Sequence, residues 1–459
     1  MRRALLITLS LTLMLASCSP VQAPSSSATP RVTVGLPDTW TPAPTAIPSL
    51  TPTCTPSPIP SRTPSPTPTD LPLTETVPVM ETVELIPTRE LEVSLKPLAP
   101  GEPLTLTRVV MITADRGWAV GTQEGPYPRI LTTADGGQTW QDRTPRTTFQ
   151  DRDWISEAST LTAFLDENTA WVYFNHAILD GEPGVHQVWR TRDGGRTWIQ
   201  SRALPFPLEM RFFTGELVFI DARTGWLRVF TEITHMHDYA YLFRTTDGGL
   251  TWALVNRPGD GMLERLVNSE LGFANLGDGW MLKDSLGGFE PFLEITRNGG
   301  QFWESVPLPE PEGAWVDWND RCLGSDPHFF GGGRGAFLLS CAPIGVEISS
   351  REEEVTSYLY FTVDFGSSWD VRTLPAPVDQ LVFLEEGQGF ALGREHFRTE
   401  DRGTTWEKIK TVSWSGEFSW ISAAEAWAVA REGEEIALVH TGDGGESYQV
   451  IEPVAAAEQ

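Results

Sequence analysis

Basic residues are in short supply in this chain. Thirty-four Lys and Arg stand against sixty-one Asp and Glu in 459 residues, a formal charge of −27. The imbalance lies in the body: residues 1–100 hold 6 basic and 7 acidic side chains, leaving 28 against 54 in the rest. A body so acidic is a poor match for nucleic acid, where affinity comes from Lys and Arg neutralising phosphates. It is equally ill suited to docking on anionic lipid through charge. Long apolar runs are missing as well. Beyond about the first twenty residues none approaches the roughly 18 needed to span a bilayer, so the body is expected to be soluble. Tyrosine is rare, at 7, and of the 4 cysteines only Cys322 and Cys341 fall in the body. No glycine loop of the phosphate-cradling kind appears, because the Gly-Gly pairs belong to a repeated turn and Gly331-Gly332-Gly333 opens no helix.

The N-terminus is a targeting segment. Arg2 and Arg3 precede an apolar stretch, Ala4 to Ala16, laid out like a secretory signal and too short for a stable span. Its end, Leu15-Ala16-Ser17-Cys18, resembles the lipobox of bacterial lipoproteins. That resemblance implies that 1–17 is a signal peptide and that Cys18 becomes the lipidated first residue. The plainer alternative is an ordinary secretory signal with Cys18 incidental. From Ser19 to about residue 75 the chain is a Pro/Thr/Ser tract; 19 of the 36 prolines lie in residues 1–100. Such a segment lacks the apolar content for a core and is expected to be an extended, disordered stalk. Fifty residues at about 3.1 Å each reach on the order of 150 Å. Its hydroxyls are O-glycosylation acceptors on composition alone, and Cys54 has no partner within it. The expected organisation is signal peptide 1–17, lipidated cysteine and linker 18–100, and a folded body 101–459. Residues 76–100 are transitional, with room for one strand added to the body. The expected location is the extracytoplasmic side of the cell membrane, or the outer membrane if the organism has one.

The body is repetitive. One eight-residue pattern occurs seven times, from Thr133-Ala-Asp135-Gly-Gly-Gln-Thr-Trp140 to Thr441-Gly-Asp443-Gly-Gly-Glu-Ser-Tyr448. The intervening copies centre on Asp193 with Trp198, Asp247 with Trp252, Asn298 with Trp303, Asp364 with Trp369, and Asp401 with Trp406. The consensus resembles the Asp-box. The carboxylate accepts from amides ahead of it, Gly at the fifth position supplies a positive φ, and the aromatic ring buries a large apolar area. These are expected to be structural turns, each touching mainly its own blade. A calcium reading lacks the further ligands that ion needs in every loop.

A second motif precedes each copy: Gly117-Trp118, Ala170-Trp171, Gly225-Trp226, Gly279-Trp280, Ala336-Phe337, Gly389-Phe390 and Ala426-Trp427. Each follows a short β-prone run. One unit is therefore strand, turn, strand bearing Gly-Trp, loop, strand, octapeptide turn, strand. Seven such units predict an all-β chain, a seven-bladed β-propeller of four-stranded antiparallel blades. Eleven of the 18 tryptophans fall at these two positions, as expected for rings packed blade on blade.

Gly-Trp strands joined to Thr-x-Asp-Gly-Gly-x-Thr-Trp turns resemble the photosystem II assembly and stability factor family, over roughly residues 104–454. Sialidases, sortilin-type receptors and xyloglucan-active glycosidases share the Asp-box alone. The resemblance implies a non-enzymatic scaffold that holds a membrane-protein partner, partly through an arginine patch. This chain departs from it in its acidity and in showing no dense arginine cluster along the sequence, so that partner is not expected to be inherited.

Binding is expected on the face opposite the octapeptides. Asp151-Arg152-Asp153-Trp154 entering blade 2, and Trp315, Asp317, Trp318 and Arg321 entering blade 5, offer rings and charges suited to sugar; the alternative is packing beneath long connections. His235 and His237, with His176 one blade away, are metal-ligand candidates by spacing, against the alternative of exposed polar loops. The sialidase set is not met, since the aromatic-Arg-Ile-Pro motif is missing and Tyr127-Pro128-Arg129-Ile130 has another order. The xyloglucan enzymes pair two propellers, whereas one is expected here. In an oxidising compartment Cys322 and Cys341 are expected to form a disulfide; two free core thiols are the alternative. The expected function is a membrane-anchored, non-catalytic scaffold for an envelope protein or glycan, monomeric and without a cofactor. The rival is a glycoside hydrolase whose two carboxylates come from top-face loops.

Overall fold

In the Gly-Trp strands the glycine is there because no Cβ fits. A Cβ on Gly225 would stand 2.6 Å from the Phe219 ring, and one on Gly279 2.5 Å from the Phe273 ring. The last aromatic of the first strand thus lies flat over the start of the second, leaving the tryptophan that follows pointing away into the next blade. The computed structural model describes residues 92–93, 95–123, 127–146, 149–150, 160–174, 186–205, 214–233, 238–258, 270–282, 292–311 and 320–457. The expected signal peptide, Cys18 and most of the stalk lie outside these.

The described strands form seven antiparallel meanders, each of four strands in chain order. Their first strands are Thr105–Met111, Thr160–Phe164, Thr214–Phe219, Glu270–Phe273, Asp320–Gly331, Gln380–Glu385 and Ser415–Trp420 for blades 1 to 7. First strands of successive blades adjoin one another and make the inner ring. The protein is a seven-bladed β-propeller, and no helix occurs among the described residues.

Seven apolar clusters hold the ring together, and every one bridges two neighbouring blades. Rings stack across the joints: Trp171 on Phe219 at 3.6 Å between centroids, Trp226 on Phe273 at 3.7 Å, and Phe390 on Trp420 at 3.6 Å. Two of these phenylalanines meet a second ring edge-on, Phe219 with Trp252 at 5.9 Å and Phe273 with Trp303 at 6.1 Å, pairs of a kind that add about 0.5–1.5 kcal/mol beyond their area burial.

Blade 1 carries a fifth strand. Val454–Ala455 runs parallel to Thr139–Trp140, and on its other side the backbone of Gly101 and Leu104 donates to Ala455 and Pro453 at 2.8 Å each. The two ends of the body are thereby zipped together at the rim. Packing begins ahead of residue 101: Leu98 is buried in the cluster between blades 7 and 1, and Leu95 packs between blades 1 and 2. A two-residue pair, Glu92–Val93 with Phe149–Gln150, precedes it.

Cys322 and Cys341 are opposite one another on the first two strands of blade 5 and their sulfurs are bonded.

Candidate functional site

Six of the seven octapeptides share one geometry. In the third, Asp247 Oδ1 accepts the Thr251 amide at 3.0 Å and Oδ2 accepts the Thr251 hydroxyl at 2.6 Å. Thr245 Oγ1 donates to Asp247 Oδ1 at 2.9 Å and itself accepts the Gly249 amide at 2.9 Å. The same pattern recurs at Asp135, Asp193, Asp364, Asp401 and Asp443. Asn298 departs from it. Its Oδ1 accepts the Phe302 amide at 2.9 Å, and with Phe in place of Thr or Ser there is no hydroxyl for a second oxygen to receive.

These bonds favour the ionised carboxyl. The Thr405 amide and hydroxyl hold Asp401 down at about 2, and the Ser447 hydroxyl and amide do the same for Asp443. Two successive residues in each turn have positive φ, not one. The first of them is Gly in five copies but Phe365 (φ 57°) and Arg402 (φ 62°) in blades 5 and 6.

The octapeptides are not confined to their own blades, contrary to the expectation from sequence. The indole of Trp171 in blade 2 donates to Gly248 O in blade 3 at 2.8 Å. Trp226 reaches Gly299 O at 3.0 Å and Trp427 reaches Gly136 O at 2.9 Å. Where the second strand carries Phe337, which has no N–H, Arg372 of the same blade reaches the equivalent carbonyl of Arg402 at 2.7 Å. These four turns are therefore both a brace and a docking point for the preceding blade, whereas the Trp118 indole donates instead to Asp166 O, outside the second octapeptide.

The sequence-derived candidates divide sharply. Trp154, His176, His235, His237, Trp315, Asp317 and Trp318 lie outside the described residues. Arg321 sits half-buried on the first strand of blade 5, opposite Ala342. Among the described residues no group of three or more His, Cys, Asp or Glu side chains is placed to hold a metal.

A feature missed in the sequence lies on the inner ring. Three residues ahead of Met111, Phe164, Phe219, Phe273, Phe329, Phe383 and Trp420 stand Arg108, Leu161, Glu216, Glu270, Asp326, Gln380 and Glu417. They form a belt one residue deep per blade, with four carboxylates in it. Most reach across a blade joint. Glu216 accepts the Leu271 amide at 3.3 Å, Glu270 the Asp326 amide at 2.6 Å, Asp326 the Leu381 amide at 2.9 Å, and Gln380 the Phe418 amide at 2.8 Å. Arg108 donates to Thr162 Oγ1 at 3.2 Å and pairs with Glu417 at 3.3 Å. Arg228, fully buried on the second strand of blade 3, pairs with Glu216. Asp326 adopts φ 54° at a bulge, a left-handed conformation that Asp tolerates better than most residues. Burial, then the nearby Asp326 and Glu216 carboxylates, push Glu270 up to about 8; burial pushes Asp326 up to about 7. The belt residues share only a spacing of three from a large apolar side chain near the end of the first strand, and no residue type.

Folding also brings arginines against the octapeptides of the next blade. Arg143 lies against Gly195 of the second octapeptide, where the charge of Arg196 faces it. Arg190 and Arg192 lie together against Gly248 of the third.

No protein-family model matches the chain, and no curated protein does. Among solved structures it is similar to YCF48 bound to a D1 peptide, at 17% identity over 77% of this chain and 97% of that one, TM-score 0.46. It is also similar to a Penicillium chrysogenum α-L-arabinanase complexed with arabinobiose, at 14% identity over 63% and 94%, TM-score 0.41. A polysaccharide lyase acting on ulvan matches at 11% identity over 78% and 97%, TM-score 0.45.

Proposed function

We propose that this protein is a non-catalytic, lipid-anchored extracytoplasmic scaffold that presents its propeller to an envelope protein or glycan. The observation that carries this reading is the use made of the belt carboxylates. A glycoside hydrolase needs one carboxyl free to protonate the leaving oxygen and a second free to attack or to activate water. Here Glu216, Glu270 and Asp326 each accept a backbone amide of the next blade, and Glu417 faces Arg108. Anchoring is supported by the ordered run from Arg2 through Leu15-Ala16-Ser17-Cys18, and the Asp-box character of the octapeptides by their shared hydrogen bonds. The feature that favours the hydrolase is Glu270, whose raised pKa suits a general acid.

The test is crosslinking of the membrane-anchored full chain in its own cells, run beside hydrolysis of arabinan, xyloglucan and sialylated glycans by the purified protein. The scaffold predicts a specific crosslinked partner that is lost when Trp315 and Trp318 are both changed to Ala, with no turnover. Turnover that disappears in Glu270→Gln would overthrow it in favour of the hydrolase.

A further inference from the structure

The belt is chemically lopsided. On one arc, Arg108 of blade 1 and Glu417 of blade 7 form a balanced pair. On the other, Glu216, Glu270 and Asp326 occupy three successive blades, and Arg228 is the cation that reaches them, paired with Glu216. Glu270 and Asp326 therefore sit side by side with no ion pair of their own among the described residues, the Arg228 charge acting on Glu270 from its pairing with Glu216. The link between them is as short as any in the belt, since the Glu270 carboxylate is 2.6 Å from the Asp326 amide. Asp326 in turn holds Leu381 of blade 6, assisted by Ser325 at 3.3 Å and by His328, whose Nε2 meets the Leu381 carbonyl at 2.9 Å.

Like charges so placed cannot both ionise without strain, and an enclosed setting strengthens their repulsion. We infer that the Glu270–Asp326 pair is a proton-dependent latch: while one of the two carboxyls keeps its proton it holds blades 4, 5 and 6 together at the inner ring, and on losing that proton it loosens this arc alone.

The groups facing the pair fix the direction. Glu216 and Arg228 approach from blade 3, His328 and Ser325 from blade 5, neutral Gln380 from blade 6, and Glu417 from blade 7. Glu216 and Glu417 add negative charge; Arg228 offsets the first and Arg108 the second. His328 is held below its usual range by burial, so above about pH 6.5 it is neutral and does not drive the transition. Both carboxyls of the pair lie above their ordinary values of 4.5 and 3.8. Groups raised in the folded state contribute stability that is complete below about pH 4 and is lost as pH climbs through about 7 to 8. The two carboxyls titrate as a pair rather than singly.

The test follows amide hydrogen exchange of the full chain at pH 6 and pH 9, as protection factors that remove the chemical rate. The latch predicts that protection of 270–273, 320–331 and 380–385 falls about tenfold or more between the two, since one pKa unit is tenfold in the opening equilibrium. The strands 105–111 and 415–420 change little. Glu270→Gln keeps an oxygen for the Asp326 amide but removes one titrating proton and should shrink the response, and Glu270→Gln joined to Asp326→Asn should flatten it; Glu435→Gln, exposed beside a turn of blade 7, should change nothing. A uniform loss of protection around all seven blades, or an unchanged response in Glu270→Gln, overturns the latch. If Glu270→Gln does not fold, Asp326→Asn takes its place, and the localised wild-type response still decides.

Discussion

The indole of Trp226 lies almost parallel to the ring of Phe273 in the next blade, at 3.7 Å and 3°, while its N–H reaches Gly299 O at 3.0 Å. One side chain thus supplies the apolar contact and the polar anchor of the joint between blades 3 and 4. The two parts can be separated. Trp226→Phe keeps most of the stack and loses the hydrogen bond, so it should cost about 1–2 kcal/mol. Trp226→Ala also opens a cavity and should cost about 3–5 kcal/mol. Denaturant titration of both variants checks the ordering.

At the fourth octapeptide, Asn298 and Phe302 are a matched pair. Asn298→Asp alone supplies a carboxylate whose second oxygen has no hydroxyl to receive, so no gain in stability is expected. Joined to Phe302→Thr it regains the 2.6 Å hydroxyl bond seen at Asp247. The double-mutant cycle should show a favourable coupling of about 0.5–1.5 kcal/mol. Strictly additive melting shifts would show that the two positions are independent.

Acid should unlock the octapeptides. Asp401 and Asp443 are held at about 2, below the ordinary 3.8. A depressed carboxyl contributes stability that is present above about pH 4 and is lost as pH falls toward 2. The melting temperature should therefore drop over that window. In Asp401→Asn with Asp443→Asn the drop should be shallower, because an amide oxygen accepts the same backbone bond at any pH.

The Cys322–Cys341 bond closes a hairpin of blade 5 over a separation of 19 residues. Replacing both by Ala should lower stability by about 3 kcal/mol in the chain-entropy estimate. The same loss should follow reduction of the wild type. If reducing agent leaves the melting curve in place, the bond adds nothing to the folded state.

The N-terminal anchor has its own check. Cys18→Ala should move the protein from the membrane to the soluble fraction and leave its melting curve unchanged. A variant that remains with the membrane and is processed as before would refute lipidation.

Blade number and strand order were legible because the blades repeat similar local demands: a small residue, Gly or Ala, under the first strand, an aromatic after it, and a turn with two positive φ values. Those demands leave fixed residues at fixed spacing, as at Gly225-Trp226 and Thr245 to Trp252. The belt left no such trace. Arg108, Leu161, Glu216 and Gln380 share a place in the ring but no chemistry, so no motif marks them. The link from Trp226 to Gly299 was also hidden, because it joins residues of different repeats through a backbone carbonyl. Arg190 and Arg192 illustrate the same limit: the pair gains its setting only when the third octapeptide folds over it.

The fifth strand of blade 1 has a consequence in time. Thr139–Trp140 leaves the ribosome long before its outer partner Val454–Ala455, six blades further along the chain. The hairpins within each blade can form as they emerge, since their contacts are local. The ring itself stays open until residues 454–455 have been made, with the outer edge of blade 1 unpaired throughout. A chain already exported in extended form would escape that wait, folding only once both halves of the seam are present.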